Sequence, residues 1–545
     1  MDTNMDMNTD TYTYTDMDAG ATIPEHARPL LEHFETFGVA SIAYGLVLAL
    51  CLYQNYVSFT LPFFAAVTIF YYGFCMRKLG RTIRKDSAFF AACILLLGVA
   101  TACTDNDFFI FFNYVGMLLL LVTCLILNFY ENGNLRFSYY FASILWVLFG
   151  SLGYLQYPFR SWRIFRNRSG RRTGKGRYVI YGLLISLPLL FVVMMLLTSA
   201  DVVFRNIFEE LFDLWTLPQH ILGIGFLFAL GAMGSFMILS NLVSNPDRRD
   251  TSAERRYEPI IAITFTSVLT ACYLLFCFIQ IFYLFLGNMV LPDGYTYAEY
   301  AREGFFQLLF VCILNLVIVL VCIGRFQDHV VLKVILSVFC ACSFIMIASS
   351  AFRMILYIET YYLSLDRVLV LWSLGVISVL MILIGISIYK KHFPLFRYGV
   401  VVVSICYVLL SLSRPDTYIA RYNIEAAALK FTQPDYWYLL RDLSADAAPV
   451  LDEYGLLRQV GRIRPGDENY YTEDDVPYDD YIDENLYFAD KEYFDESDPY
   501  DHDITDYYYL YSRLLYKGSK MSLRKWNYSR YRGYQIAKRY SIDLE

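Results

Sequence analysis

Charged residues are scarce in this 545-residue chain. Only 18% of the residues are Asp, Glu, Lys or Arg, against roughly 25% in soluble globular proteins. Hydrophobic residues make up 57% of the chain. The composition therefore excludes an ordinary soluble domain and predicts a chain that lies largely within a membrane.

Catalytic and metal-binding motifs are also missing. The sequence has no GxSxG, no HExxH and no phosphate-binding glycine loop, and its six histidines are scattered. The twelve cysteines lie in or beside apolar runs, show no CxxC or Cys/His spacing, and end at Cys406. We expect no disulfide framework, no cofactor and no catalytic residue, which favours a protein that is not an enzyme.

The first residues carry no secretory signal. Met1–Gly20 is acidic and rich in Thr and Asp, the opposite of a basic signal-peptide start. We predict a disordered acidic leader over residues 1–36.

Apolar runs long enough to cross about 30 Å of hydrocarbon recur through most of the chain. Ser138–Leu155 is interrupted by glycines and rich in aromatic residues, so it suits an interfacial helix as well as a spanning one. The other predicted spans are Phe37–Tyr53, Val57–Met76, Ala88–Cys103, Phe108–Phe129, Val179–Leu197, Ile221–Val243, Ile260–Leu286, Phe305–Ile323, Val334–Ser350, Val368–Tyr389 and Tyr398–Leu412. The sequence thus predicts an all-α polytopic bundle with eleven or twelve spans.

Basic loops set the expected orientation, because Lys and Arg resist translocation. They are Arg77–Lys85, Arg160–Arg177, Arg248–Arg256, Arg325–Lys333 and Lys390–Arg397. All five are cytoplasmic if Ser138–Leu155 lies in the interface, which gives eleven spans with the N-terminus inside. Twelve spans would place the Arg77 loop outside. Both versions put the C-terminal tail outside the cytoplasm.

Four regions follow from this division. After the leader come N-terminal membrane helices with a basic cytoplasmic loop (37–177), the main transmembrane bundle (178–413), and a mostly helical extracytoplasmic tail (414–545). Within the tail, Asp467–Asp506 is a strongly acidic, Tyr-rich insertion, and Arg513–Arg539 is basic with a helical pattern. The net charge of −7 and the acidic tail exclude nucleic acid as an expected partner.

The acidic insertion offers oxygen ligands of the kind that calcium prefers. The candidates are Asp495, Asp498, Asp501, Asp503 and Asp506. The run lacks the glycine and terminal glutamate of an EF-hand loop. A solvated acidic insertion is therefore favoured over a calcium site, and no metal is expected.

Four stretches together resemble a bacterial membrane family that is known as a domain of unknown function, of the forty-one seventy-three and forty-one fifty-three type. They are Tyr297–Phe306, Arg353–Arg367, Pro415–Ile424 with Leu443–Pro449, and Trp526–Arg532. One departure is clear: Tyr361, Tyr362, Leu363 and Ser364 replace a Tyr-Gly-Leu-Thr turn. The resemblance covers residues 178–545 and implies a bacterial plasma-membrane protein. It supplies no catalytic residue.

Three of these stretches fall on the predicted outer side. We predict one external polar pocket beneath the tail, which would suit an anionic group because of its arginines. Its residues are Glu299, Arg302, Glu303, Arg353, Glu359 and Arg421. The alternative is an interfacial anchor belt in which Glu299 pairs with Arg302.

These observations favour a non-enzymatic envelope sensor, scaffold or regulatory subunit. Its expected partners are the lipid bilayer, another membrane or envelope protein, and an anionic ligand. A transporter or flippase of an anionic or lipid-linked solute is the alternative. A membrane enzyme on a lipid-linked substrate, with Glu299 or Glu303 as general acid or base, comes third.

Overall fold

The computed structural model describes residues 27–55, 57–130, 137–168, 216–245, 257–282, 305–390, 393–432, 434–457 and 501–541. Within these ranges the chain is all-helical without a β-strand, which confirms the predicted all-α class. The helices are α1 Arg28–Glu32, α2 Phe34–Leu52, α3 Thr60–Lys78, α4 Ser87–Cys103, α5 Asp107–Phe129, α6 Phe137–Gly150, α7 Tyr157–Arg168, α8 Thr216–Ser244, α9 Pro259–Gln280, α10 Phe305–Arg325, α11 Val330–Tyr361, α12 Leu365–Tyr389, α13 Leu395–Ser413, α14 Pro415–Leu429, α15 Ala448–Glu453, α16 Asp501–Ser519 and α17 Tyr528–Ser541.

Eight of the described helices are long and apolar enough to cross a membrane: α2, α5 and α8 to α13. They coincide with eight of the predicted spans and make the chain a multi-pass membrane protein. Helices α3 and α4 coincide with two more, although α4 has only 17 residues. The predicted span Val179–Leu197 lies outside the described residues.

The bundle has two distinguishable ends. At the first, here called the basic end, Arg397 in the first turn of α13 forms an ion pair with Asp86 before α4, and Asn128 of α5 accepts a hydrogen bond from the Arg84 backbone at 3.0 Å. The turns before α9 and after α10 also meet there, through Tyr257 and Phe326. The described parts of the basic loops therefore gather at one end. The opposite end, here called the tail end, carries the C-terminal tail.

Helix α6 lies across the basic end. Near its start, Tyr140 stacks on Phe396 of α13 with ring centroids 4.0 Å apart. Near its end, the carbonyl of Trp146 accepts a hydrogen bond at 3.1 Å from Asn241, which lies in the last turn of α8. Tyr140 and Trp146 of α6 thus contact α13 and α8 at the same end of the bundle.

Hydrophobic packing groups the described membrane helices into two main cores. Helix α8 packs with α2, α3, α5 and α6 in one core, whereas α9 to α12 form a second. Glycines allow α2 and α8 to approach closely, since a Cβ on Gly231 would lie 2.8 Å from the Gly45 Cα. Small residues at such crossings let backbones pack directly. Helix α13 joins α4 in a third, smaller core.

Part of the region predicted as the leader is helical. Residues 28–32 and 34–36 of this region are helical, and Leu30 and Leu31 of α1 are buried in the first core. The hydroxyl of Ser161 in α7 donates to the Leu31 carbonyl at 2.8 Å. Residues 1–26 lie outside the described residues.

The tail has a hydrophobic core of its own. Helices α14 to α17 and the turns at Tyr438–Asp442 and Ala445–Ala447 enclose it. Fully buried members include Ile419, Leu439, Leu451 and Leu514. Leu365 at the start of α12 packs against this core, so the tail rests directly on the second membrane core. Residues 467–500 of the acidic insertion lie outside the described residues.

Candidate functional site

The described residues place a buried polar cluster where the tail meets the bundle. We call it the clasp. It comprises the loop Thr104, Asp105 and Asn106 between α4 and α5, together with Asp416, Ser444, Asp446, Lys517, Asn527 and Arg530 of the tail. The three loop residues are buried, at 0%, 3% and 9% exposure. Buried polar groups are costly unless paired, so this loop requires partners.

Two helix ends meet at this loop, and their unpaired backbone groups need polar partners. Helix α4 ends where Thr104 becomes extended, and Asn106 caps α5 by accepting a hydrogen bond from the Phe108 amide at 3.0 Å. An asparagine at this position satisfies donors that have no partner within the helix. Asp105, between these two residues, is then left to face the tail.

Asp105 forms two ion pairs with the tail. Its Oδ2 lies 2.9 Å from Nζ of Lys517, in the last turn of α16. Its Oδ1 lies 2.5 Å from Nε of Arg530, in the first turn of α17. Burial by itself raises the pKa of Asp105, but the charges and hydrogen bonds of Lys517 and Arg530 outweigh it and hold the pKa below its usual range.

Asp446 faces the same loop without a cation. Its Oδ2 accepts a hydrogen bond from the Thr104 hydroxyl at 2.5 Å, and its Oδ1 accepts one from the Asp105 amide at 3.1 Å. Ser444 fixes the turn, because its hydroxyl accepts from the Asp446 amide. Burial raises the pKa of Asp446 to about 6, and the nearby Asp416 carboxylate adds to this effect.

Asp416 completes the contact from the start of α14. Its Oδ2 accepts hydrogen bonds from the Asn106 side chain at 2.9 Å and from the Ser444 amide at 3.1 Å. Its Oδ1 is buried without a hydrogen-bond partner among the described residues. Asp416 and Asp446 therefore form a buried acidic pair next to the Asp105 ion pairs.

Asn527 joins the tail to the backbone of the bundle. Its side-chain nitrogen donates to the carbonyls of Val57 at 2.9 Å and Thr104 at 2.9 Å. Its oxygen accepts from the Arg530 amide at 3.0 Å and so caps α17. One fully buried side chain thus starts a tail helix and holds two membrane-helix connections.

The second membrane core contacts the tail at the turn after α11. Tyr362 there has a φ of 64°, a conformation that favours glycine. Its hydroxyl lies 2.5 Å from that of Thr432, and the ammonium of Lys430 lies 4.9 Å from its ring centroid. The next residue, Leu363, exchanges two backbone hydrogen bonds with the Asn423 side chain, at 2.8 and 2.9 Å. These contacts with the tail offset the conformational strain of a tyrosine with a positive φ at this turn.

The predicted external pocket is only partly within the described residues. Glu299, Arg302 and Glu303 lie outside them. Arg353 is buried, and its Nη2 lies 3.5 Å from the Gln280 side chain. Glu359 is exposed, and Arg421 pairs with Glu453 at 2.8 Å on the tail surface. The pocket stays a prediction.

The calcium candidates are untested in the same way. Asp495 and Asp498 lie outside the described residues, while Asp501, Asp503 and Asp506 lie in α16 without described side chains. Where side chains are described, no group of three or more His, Cys, Asp and Glu residues is placed to hold a metal ion.

Sequence reasoning missed the clasp, although a signal was present. Asp416, Asp446 and Asn527 lie within two of the four stretches that carry the family resemblance, and each makes a tail-to-bundle contact. Asp105 stands in the sequence only as part of a short acidic loop. Its partners lie more than 400 residues away in sequence, so local spacing gave no indication of the ion pairs.

The fold and the clasp define a polytopic helical membrane protein whose C-terminal tail is folded against one end of its bundle. The chain belongs to the family described as "Domain of unknown function (DUF4153)", whose sequence model matches residues 91–454. The match includes Asp105, Asp416 and Asp446 but ends before α16 and α17. No curated protein and no solved structure matches the chain.

The Asp105 ion pairs predict a large effect of Asp105→Asn. The substitution leaves Lys517 and Arg530, whose side chains are 31% and 24% exposed, facing a neutral side chain, and water partly solvates them, so the cost should lie below the roughly 3–5 kcal/mol of a fully buried pair. The melting temperature of the purified protein should fall by several degrees. Glu453→Gln, which removes an exposed tail ion pair, is the matched control and should change little. Equal effects of the two variants would contradict the role of Asp105.

The raised pKa of Asp446 predicts a pH-dependent effect of Asp446→Asn. Between the ordinary pKa of 3.8 and about 6, the unfolded state loses a proton that the folded state keeps, so this group's contribution to stability falls as pH rises. Asparagine is always neutral. The variant should match the wild type near pH 4 and exceed it by up to about 3 kcal/mol above pH 7. Thermal unfolding at both pH values measures the difference, which would be constant if Asp446 were charged throughout.

Proposed function

We propose that this is a bacterial plasma-membrane protein with eleven spans and an extracytoplasmic tail. The eight long helices, together with α3, α4 and the predicted span Val179–Leu197, make eleven. The position of α6 along the basic end supports its exclusion from the spans. The positive-inside rule then puts the basic end, with α1 and α7, in the cytoplasm and the tail outside.

Thiol labelling tests this orientation. Lys85 lies at the basic end and Ser413 at the tail end, and both are exposed. A membrane-impermeant maleimide should label Ser413→Cys in intact cells and Lys85→Cys only after permeabilisation. The unsubstituted chain gives the background from its twelve cysteines. The reverse pattern would place the tail in the cytoplasm.

We infer that the protein serves as a non-enzymatic sensor, scaffold or regulatory subunit of the envelope. One observation carries this inference: the tail contacts both membrane cores at the same end of the bundle. The clasp holds the tail to Asp105 in the loop between α4 and α5, and α5 belongs to the first membrane core. Asn423 and the tail core hold the tail to Leu363 and Leu365 at the start of α12, which belongs to the second membrane core.

This arrangement suits regulation because the tail, among the described elements, contacts both membrane cores at the tail end of the bundle. A ligand or partner that binds one tail conformation more tightly than another favours that conformation. Because the tail contacts both membrane cores, the arrangement of the two cores shifts with it. The buried polar contacts give the junction two alternatives, formed or broken, since partly satisfied networks are disfavoured. The proposed ligand is anionic, or the partner is another envelope protein.

The polar groups within the membrane support regulation over transport. Asn315 is fully buried and hydrogen-bonded to Tyr273 at 2.9 Å and to Ser343 at 3.0 Å. Gln280 accepts a hydrogen bond from Ser349 at 2.6 Å. These bonds join neighbouring helices, as expected of polar groups that stabilise helix packing.

A photo-crosslinking experiment tests the regulatory role. Tyr418 and Tyr422 are exposed on one face of α14, and a photoreactive amino acid at either position should capture a discrete partner in intact cells. Because the partner is expected to recognise the docked tail, the adduct should weaken with Asp105→Asn and persist with Glu453→Gln.

Two results would overturn the proposal. One is the absence of an adduct at both positions. The other is movement of a fluorescent phospholipid or an anionic solute across liposomes by the purified chain, above the rate in protein-free liposomes. That outcome would establish the transporter or flippase alternative.

A further inference from the structure

The connection between α16 and α17 exposes an apolar side chain among cations. Leu523 is 97% exposed, and Lys520, Arg524 and Lys525 around it are also exposed. A fully exposed leucine costs free energy in water unless another surface covers it. We call residues 520–526 the anchor loop.

Hydrogen bonds fix the anchor loop at the start of α3. The Phe59 amide donates to the Trp526 carbonyl at 2.9 Å, and the Asn55 side chain donates to the Arg524 carbonyl at 2.9 Å. The guanidinium of Arg524 also donates to the Tyr53 carbonyl. The loop therefore lies at the level where α2 ends and α3 begins.

Helix α3 shows which surface lies beside the loop. Phe59, Phe63 and Phe70 are 61%, 56% and 73% exposed, and their spacing places them on one face. On a membrane protein such an exposed apolar face is expected to contact lipid. Because Phe59 both begins this face and contacts the loop, the anchor loop stands where the lipid-facing surface starts.

Aromatic side chains around the loop have the composition of a membrane interface. The ring of Trp526 lies 6.4 Å from that of Phe59, 6.5 Å from Tyr528 and 6.1 Å from Tyr531. The Arg414 guanidinium lies 5.4 Å from the Tyr528 ring centroid. Trp and Tyr concentrate at headgroup level, where one part of the ring is apolar and the other is wet.

We propose that the anchor loop binds anionic phospholipid headgroups. Leu523 inserts beside the apolar face of α3, and Lys520, Arg524 and Lys525 contact the phosphates. Basic residues next to an anionic membrane surface are attracted to it, and salt screens that attraction. The bound lipid would hold the α16–α17 connection, and hence Lys517 and Arg530 of the clasp, at the membrane surface.

The first experiment measures insertion. The purified full chain carries Cys272→Ser, which removes an exposed thiol, and a fluorophore on Leu523→Cys or on Lys538→Cys at the other end of α17. Both are placed in nanodiscs containing doxyl-labelled lipid. Quenching should be several-fold stronger at position 523 than at 538. Equal or weaker quenching at 523 would overturn the insertion.

The second experiment measures charge selectivity. Phosphatidylglycerol, compared with phosphatidylcholine, should raise the melting temperature of the detergent-solubilised protein by several degrees. Arg524→Gln/Lys525→Gln should abolish this rise. Arg532→Gln/Lys538→Gln, which removes equal charge from exposed positions on α17, should keep it. An equal loss in both double variants, or the same rise with inorganic phosphate, would contradict a lipid-binding loop.

Discussion

The contacts on which the architecture depends most are the two ion pairs made by Asp105. A carboxylate that is 3% exposed is strongly disfavoured unless cations lie beside it. Lys517 and Arg530 supply them from two tail helices. The loop between α4 and α5 can be buried only while α16 and α17 stay in place, and those helices in turn need Asn527 and the tail core. Folding of the first membrane core and docking of the tail are therefore coupled.

The acidic pair beside these ion pairs is held by neutral hydrogen-bond donors instead of by cations. Asp416 and Asp446 are each 1% exposed, and their hydrogen bonds come from hydroxyl, amide and backbone groups rather than from cations. Asp105 supports docking when it is charged, whereas Asp446 supports it when it is neutral. The junction thus combines two buried carboxyl groups with opposite protonation preferences.

The membrane helices form two main cores that meet the tail through different means. The first core is held through charges and amides at Thr104–Asn106, and the second through apolar packing at Leu365 and the turn at Tyr362. Tyr362 keeps a conformation suited to glycine because Thr432, Lys430 and Asn423 surround that turn. A tail that makes both kinds of contact constrains the two cores relative to each other.

The sequence alone determined the class, because spanning helices need long apolar runs and the hydrocarbon thickness dictates their length. Helices α2 to α5 and α8 to α13 follow those runs closely, and the family resemblance located the stretches around Asp416, Asp446 and Asn527. The sequence left the position of α6 open, since glycines and aromatics suit both alternatives, and it gave no sign that Tyr140 and Trp146 contact α13 and α8. The sequence also gave no sign that α8 packs with the N-terminal helices, because the approach of Gly45 to Gly231 depends on which faces of α2 and α8 meet.

Only the tertiary structure revealed the clasp. Burial and pairing depend on distances between residues far apart in the chain, and hydropathy and spacing carry no information about those distances.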